Sequence, residues 1–158
     1  MKKIETDRLI LRELNRDDLN DILEYLPTED YWQYQMTDIH SMDSAQAKEH
    51  FLNMMLKHNI VGIELKSNHK IIGHLSYYQK GPKTYEMGCA LNPEFQHFGY
   101  AVESCKAFMD ILMSDGCDRI YFRIHPKNIS SRKMAERLDM KCEQVLYKGA
   151  IVYYLIKN

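Results

Sequence analysis

The stretch Pro93-Glu94-Phe95-Gln96-His97-Phe98-Gly99-Tyr100-Ala101-Val102-Glu103-Ser104 separates a strand-like run, residues 84–91, from a helical pattern that extends to about residue 115. Asn92-Pro93 ends the strand, and Gly99 allows the backbone to open into a helix. The first turn of a helix has amide N–H groups without partners, at the positive end of the helix dipole. The stretch therefore predicts an anion site. Because the loop contains no Lys or Arg, a phosphate there would be bound mainly by backbone amides. An ordinary strand-to-helix turn is the alternative.

The spacing Gln96-x-x-Gly99-x-Ala101, followed by Glu103, resembles the acetyl-CoA signature of the GCN5-related N-acetyltransferases (GNAT). In that family the residue after Gln96 is commonly Gly, whereas this chain has His97. A positive φ there would strain a His, although His tolerates this region better than most residues. The resemblance implies that the loop binds acetyl-CoA through Gln96, His97, Phe98, Gly99, Tyr100 and Ala101.

A second match lies near the N-terminus. Thr6-x-Arg8-Leu9-x-Leu11-Arg12 resembles the opening of the RimJ/RimL-like branch of the same superfamily. That branch includes enzymes that acetylate the N-terminal amine of ribosomal proteins, along with many that act on other amines. An amphipathic strand with Arg at its ends is the common alternative.

A third match follows the strand-like residues 119–124. Asn128-x-x-Ser131, with a helix that ends in Leu138-x-Met140, resembles the second acetyl-CoA signature of the family. The resemblance implies that Asn128 hydrogen-bonds the pantetheine arm and that Ser131 lies near the sulfur. Asp139 replaces the usual Gly at the helix end, where a left-handed backbone is expected. The alternative is that Asn128 or Ser130 is simply an N-cap.

Composition indicates one globular domain, residues 1–158, with 45% hydrophobic and 27% charged residues. The net charge of −1 disfavours a general nucleic-acid or membrane-surface binder. There is no run of membrane-spanning length and no apolar segment typical of a signal peptide. The four cysteines form no Cys-x-x-Cys pair, and the seven histidines show no metal-ligand spacing. We therefore expect reduced thiols, a cytoplasmic location, no metal, no nucleic acid and no membrane partner; a homodimer is left open.

Hydrophobic periodicity predicts the element order βααβββαβαββ. The expected elements are a strand at 6–14, a helix from Asn15 to Pro27, an irregular segment at 27–43 and a helix at 44–57. Strands follow at 60–66, 71–79 and 84–91, then the helix near Gly99, a strand at 119–124, a helix at 130–138 and a hairpin at 141–147 and 150–156. This order matches the GNAT fold, an α/β (α+β) architecture with a mixed central sheet of about seven strands flanked by four helices.

The resemblance also suggests residues for chemistry. Acetylation of an amine needs a base, a donor for the oxyanion and an acid for the leaving thiolate. Glu86 is the first candidate for the base, with a solvated carboxylate on an edge strand as the alternative, and His74 is the runner-up, with a structural role as its alternative. Ser131 is the candidate acid, and Tyr153 or Tyr154 on the last strand could also reach the site. Alternation along 84–91 places small residues on one side, which leaves room for a pantetheine arm beside Cys89, Ala90 and Leu91, with an amide of Cys89 or Ala90 as oxyanion donor. Many family members use a Tyr as the acid at the position of Ala135, so that role cannot be carried over.

The acceptor is expected to enter past residues 27–43, a segment with four carboxylates and three aromatic residues that would favour a cationic amine. The alternative is an acidic solvated loop with Trp32 held in the core. The sequence thus predicts an acetyl-CoA-dependent N-acetyltransferase that acts on a primary amine by direct transfer in a ternary complex. A catalytically silent CoA-binding module and an unrelated domain for another phosphorylated ligand are the other hypotheses.

Overall fold

An eight-stranded mixed sheet forms the centre of the protein in a computed structural model that describes the backbone of residues 1–158 and all side chains except those of 144–147. The strands lie in the order β1-β2-β3-β4-β5-β6-β8-β7. Their bounds are β1 Ile4–Glu5, β2 Leu9–Arg12, β3 Ile60–Leu65, β4 Ile71–Gly81, β5 Thr84–Leu91, β6 Arg119–Ile124, β7 Lys141–Tyr147 and β8 Ala150–Ile156. The β5–β6 pair is parallel, and the other neighbouring strands are antiparallel.

Five α-helices lie along the described backbone: α1 Leu19–Leu23, α2 Glu29–Trp32, α3 Ser44–Leu56, α4 Tyr100–Ser114 and α5 Ile129–Arg137. One face of the sheet packs against α4 and α5 around a core that includes Leu75, Phe108 and Ile120. The helices before β3 cover a second core around Tyr25 and Phe51. Burial of these apolar side chains on both faces holds the sheet between two helical layers. No helix among the described residues combines the length and apolar character needed to cross a membrane.

The predicted GNAT fold is confirmed, with two corrections to the number of elements. The strand expected at 6–14 is the shorter β2, and an additional strand, β1, precedes it; the amide of Thr6 donates to the carbonyl of Leu9 in the turn between the two. The described sheet therefore has eight strands instead of about seven. The segment expected to be irregular contains α2, whose first turn is capped by the hydroxyl of Thr28.

The first helix also differs from its predicted bounds. Asn15 caps it as expected, but it begins with a 3₁₀ turn at Arg16–Asp18, and α1 ends at Leu23 instead of reaching Pro27. Arg12 explains part of this geometry, since its guanidinium bonds the Asp18 carboxylate at 2.8 Å and the Glu64 carboxylate at 2.5 Å. These ion pairs attach the first helical turn to β2 and β3.

The parallel pair β5–β6 is unusually short. Register is kept for three residue pairs, the last of them Glu86 with Tyr121. Beyond this point β5 remains paired to β4 and β6 remains paired to β8, but the two strands no longer pair with each other. The sheet therefore opens between the second halves of β5 and β6, and this opening positions the candidate site.

Candidate active site

A continuous groove begins where β5 and β6 part. Its first section, a cleft of ≈ 480 Å³, is lined by residues 87–90 of β5 and by 122–125 at the end of β6. A second section of ≈ 470 Å³ shares Asn128 and Ser131 with the first. A third of ≈ 410 Å³ shares Gln96 with the second and ends at the N-terminus of α4. The groove thus connects the opening in the sheet with the predicted anion site.

The loop before α4 has the expected left-handed backbone. Gly99 is the N-cap of α4 with φ 83°, and His97 has φ 69°. Gly99 adopts this conformation without a steric penalty, whereas His97 bears some strain. The first-turn amides of α4 have no side-chain cap from Gly99, so they remain available to an anion at the end of the groove.

The N-terminal motif holds this loop from behind. Arg8 donates from Nη1 to the carbonyl of Phe98 at 2.9 Å and from Nε to the carboxylate of Glu103 at 2.7 Å. Its guanidinium lies 4.3 Å from the centre of the Tyr100 ring. The hydroxyl of Thr6 donates to the same Glu103 carboxylate at 2.6 Å. Two motifs that are more than eighty residues apart in the sequence therefore form one structural unit.

Two cations that the sequence analysis did not single out lie beside the loop. Lys133 and Arg137 are exposed, one helical turn apart on α5, and both line the third section of the groove together with Gln96, His97 and Gly99. The loop itself has no basic residue, so α5 supplies the positive charge. The i, i+4 spacing of these residues was visible in the sequence, but their position beside α4 was not.

The predicted cofactor residues lie along the groove with one exception. Cys89, Ala90, Leu91, Gln96, His97, Gly99, Tyr100, Ala101, Asn128 and Ser131 line its three sections. Phe98 is 60% exposed and is not among the lining residues; its carbonyl accepts the bond from Arg8 instead. Asn128 caps α5, since its Oδ1 accepts the amide N–H of Ser131 at 3.2 Å. Capping uses one end of the Asn128 amide, so a cap and a ligand contact are compatible.

Glu86 lies on β5 at the last residue pair before the strands part. Its carboxylate accepts hydrogen bonds from Arg123 at 2.6 Å and from the hydroxyl of Tyr121 at 3.2 Å, and the ammonium of Lys80 is 3.5 Å away. Glu86 does not itself line the cleft, whereas Gly88, Tyr78 and Arg123 beside it do. The carboxylate therefore meets the cleft through neighbouring groups or through water.

His74 lines the cleft from β4 and is otherwise buried. Its Nδ1 is 2.6 Å from the hydroxyl oxygen of Tyr25. Burial lowers the pKa of His74 to about 4, with a smaller effect from His50, and burial raises the pKa of Tyr25. Burial therefore favours the neutral form of both groups, and the hydrogen bond holds the imidazole of His74 in place at the wall of the cleft.

Cys89 lies in the wall of the groove, against the core face of the sheet. A hydrogen bond with Cys89, together with burial, raises the pKa of the Cys105 thiol on α4. Cys89 thus has another thiol as its neighbour, an environment typical of a structural cysteine. Among the described residues no group of three or more His, Cys, Asp or Glu side chains could hold a metal ion.

The acidic segment 27–43 contributes aromatic groups to the cleft. Tyr31 and Tyr34 line its first section. Trp32 is buried, and its Nε1 donates to the carbonyl of Leu26 at 2.8 Å, so the alternative of a Trp held in the core is confirmed. Asp43 is the N-cap of α3. Of the four carboxylates of this segment, Asp30 alone is a described lining residue of the groove, in the second section.

The mixed sheet parts beside a helix N-terminus and a groove joins the two, which is the arrangement expected from the resemblance to the acetyltransferases. The chain belongs to the family described as the acetyltransferase (GNAT) domain, whose sequence pattern matches residues 8–141. It is an enzyme of the N-acetyltransferase class, as the sequence predicted.

Other proteins are similar over most of their length. YnaD of Bacillus subtilis (strain 168), described as an uncharacterized N-acetyltransferase, is 28% identical over 144 residues, which cover 89% of this chain and 83% of YnaD. An acetyltransferase (GNAT family) from Bacillus anthracis has the same fold, with a TM-score of 0.83, 22% identity and coverage of 97% and 96% of the two chains. RimL, a ribosomal L7/L12 alpha-N-protein acetyltransferase solved with coenzyme A, has a TM-score of 0.79, 21% identity and coverage of 98% of both chains.

Proposed function

We propose that the protein transfers an acetyl group from acetyl-CoA to a primary amine, directly and within a ternary complex. The observation that carries this proposal is the groove that joins the parting of β5 and β6 to the N-terminus of α4. A pantetheine arm with its two amides suits the unpaired strand edge, and a pyrophosphate suits the helix N-terminus. RimL, which has the same fold, was solved with coenzyme A.

The groove orders the parts of the cofactor along its length. The first-turn amides of α4 would bind the pyrophosphate, and Lys133 and Arg137 would bind the remaining phosphate of CoA. Asn128 would hydrogen-bond the pantetheine arm. The thioester would then reach the cleft beside Cys89 and Ala90, where a β5 amide that no longer pairs with β6 would donate to the oxyanion.

The chemistry is an attack of the neutral amine on the thioester carbonyl. The amine nitrogen forms the new C–N bond, the C–S bond breaks, the nitrogen loses one proton, and the departing thiolate takes one. We assign proton removal to Glu86 through a bridging water, because its carboxylate is one residue pair away from the opening. Ser131 is assigned as the proton donor to the thiolate, since it lines both sections of the groove around the expected sulfur position. His74, the other candidate base, is a neutral positioning residue in this proposal.

The same proposal places the protein in the RimJ/RimL-like branch and in the cytoplasm. The branch is supported by the N-terminal motif, in which Thr6 and Arg8 contact Glu103 of α4. A reducing compartment is supported by the four cysteines, all of which are free thiols.

An acceptor screen tests the proposal. Purified protein is mixed with acetyl-CoA and a panel of amines, the released CoA is measured with a thiol reagent, and the product is identified by mass spectrometry. We expect release that depends on the amine, and a Glu86→Gln variant with lower turnover and unchanged CoA affinity. The matched control is Glu136→Gln, the same substitution at an exposed position of α5.

One observation favours a second function, a silent CoA-binding module. Glu86 is bound by Arg123, Tyr121 and Lys80, and Ala135 stands where many family members have a catalytic Tyr. Stabilisation of the fold by CoA without turnover of any amine would select this function and overturn acetyl transfer. Stabilisation by ATP or NAD with none by CoA would overturn both.

A further inference from the structure

The acceptor end of the cleft, meaning the part formed by α3, β4 and the end of β6, is lined by cationic and neutral groups. Lys57 lies there at the C-terminal end of α3, and Arg123 lies opposite on β6. Hydroxyl and amide groups of Ser76, Tyr78 and Asn53 complete the polar lining. Among the described residues that line this first section of the groove there is no Asp or Glu.

The nearest carboxylate, Glu86, does not make this end negative. Its two oxygens are met by Arg123 at 2.6 Å and by Lys80 at 3.5 Å, so its charge is balanced inside the protein. The described lining of the acceptor end therefore carries two cations, Lys57 and Arg123, while Glu86 and its second partner Lys80 lie beside the cleft without lining it. The local field is therefore positive.

The acidic segment does not reverse this field. The carboxylate of Asp43 accepts a hydrogen bond from the amide of Gln46 and so caps α3. Asp38 lines a separate surface depression near His40. Asp30 lies along the second section, toward the cofactor side of the groove. The cationic amine that the composition of residues 27–43 favours therefore meets no carboxylate among the described lining residues of the acceptor end.

Two histidines that line this end, His50 and His74, have lowered pKa values. Burial lowers the pKa of His50, and the nearby charge of Lys57 lowers it further. His74 is neutral for the reasons given above. These rings offer hydrogen bonds, while the fixed charges come from Lys57 and Arg123.

Resting on the acetyl transfer proposed above, we propose that the acceptor is a small amine that carries its own anionic group, a carboxylate or a phosphate, bound by Lys57 and Arg123. The anion would hold the molecule while its amine faces the thioester. The same cations would oppose a second positive charge, which favours the unprotonated amine that the attack needs. The cleft of ≈ 480 Å³ must also hold the thioester end of the cofactor, so it suits a small molecule.

Matched acceptors test this inference. Each set contains an α-amino acid, its carboxamide, the decarboxylated amine and an aminoalkyl phosphate of similar length; a polyamine and a short peptide with no acidic side chain complete the panel. We expect kcat/KM for the carboxylate or phosphate member to exceed that of its neutral partners by about tenfold, a factor equal to ~1.4 kcal/mol. We also expect this preference to weaken at high salt.

The outcomes separate the two proposals. Equal or better turnover of the carboxamide, the polyamine or the neutral peptide would overturn the anionic acceptor while leaving acetyl transfer in place. No CoA release with any amine would overturn acetyl transfer itself, and the acceptor inference with it. Preference for the carboxylate member over the phosphate member, or the reverse, identifies which anion is bound.

Variants of Lys57 test the same inference, because the loss of an anion contact raises KM for acidic acceptors more than for neutral ones, whereas a purely structural defect affects both equally. Lys57→Gln should raise KM for the acidic acceptor by roughly threefold to fivefold, the range of one exposed ion pair, and should affect the neutral acceptor less. Lys48→Gln is the control, because Lys48 is exposed on the same helix and lies outside the groove. Equal losses with acidic and neutral acceptors in the Lys57 variant would overturn the assignment.

Discussion

Replacing Arg8 by Met removes the side chain that joins the N-terminal segment to the loop before α4. In the native protein this guanidinium bonds the Phe98 carbonyl at 2.9 Å and the Glu103 carboxylate at 2.7 Å and lies over the Tyr100 ring. The variant keeps a flexible apolar side chain of similar length. It therefore tests the polar contacts more than the packing of the side chain.

The expected loss can be worked from these contacts. The hydrogen bond to Phe98 contributes about 1 kcal/mol, and the ion pair with Glu103 contributes at most ~1 kcal/mol because the Arg8 side chain is 45% exposed. Stacking on Tyr100 adds about 0.5 kcal/mol at an exposed site. A total near 2 kcal/mol corresponds to a fall in Tm of about 4–8 °C for a domain of this size.

Cofactor binding should weaken as well, because the amides at the start of α4 follow the Phe98 carbonyl that Arg8 holds. If half of this lost free energy, about 1 kcal/mol, also weakens the binding of CoA at the phosphate site, the Kd for CoA rises about fivefold. Thermal unfolding and calorimetric titration with CoA measure the two effects, with Arg16→Met, an exposed Arg on the first helical turn, as the control. A variant that unfolds and binds CoA like the native protein would refute the idea that the two motifs form one unit.

Three further predictions concern the same end of the groove. Combined Lys133→Met and Arg137→Met changes should weaken CoA binding by about tenfold, from two exposed charges, and dephospho-CoA binding by less, as measured by calorimetry. His97→Gly should raise Tm or leave it unchanged, because the φ of 69° suits Gly, while His97→Val should lower Tm by about 2–4 °C per kcal/mol of strain. Burial alone would raise the pKa of Glu103, but the bonds from Thr6 and Arg8 outweigh burial and lower it below the ordinary 4.5. Its stabilisation is therefore present above pH 4.5 and is lost as the pH falls through the lowered pKa, so the Tm difference between the native protein and Glu103→Gln should shrink in acid.

Each of these has a clear contrary result. Equal losses for CoA and dephospho-CoA would show that Lys133 and Arg137 do not bind the additional phosphate. A Val at position 97 that is as stable as His would mean that the loop readily leaves the left-handed conformation. A Tm difference for Glu103→Gln that stays constant from neutral pH to acid would exclude the carboxylate charge as the source of the stabilisation.

The fold could be predicted because its signals are local. The strand at 84–91, the break at Asn92-Pro93 and the helix after Gly99 lie next to each other in the chain, and hydrophobic periodicity and capping residues mark their ends. The two extra elements were missed for a local reason as well. A two-residue strand and a four-residue helix are too short to show a hydrophobic period.

The site was predicted less completely, because its remaining features depend on residues that are distant in sequence. The pairing of Tyr25 with His74 spans 49 positions, and that of Glu86 with Arg123 spans 37. Neither pairing leaves a trace in the spacing of motifs. The charge of the acceptor end could not be predicted for the same reason, since composition records that residues 27–43 are acidic but not where their carboxylates lie.

The parting of β5 and β6 has a mechanical consequence. The sheet consists of two parts, β1–β5 and β6–β8, that are joined by only three residue pairs among the described strands. A ligand bound in the opening between β5 and β6 would hydrogen-bond the main-chain groups that the strands no longer offer each other, and would thereby connect the two parts more rigidly. Of the neighbouring amides of Cys89 and Ala90, the one that faces this opening should exchange more slowly when a ligand is bound, while exchange in the β3–β4 ladder stays the same.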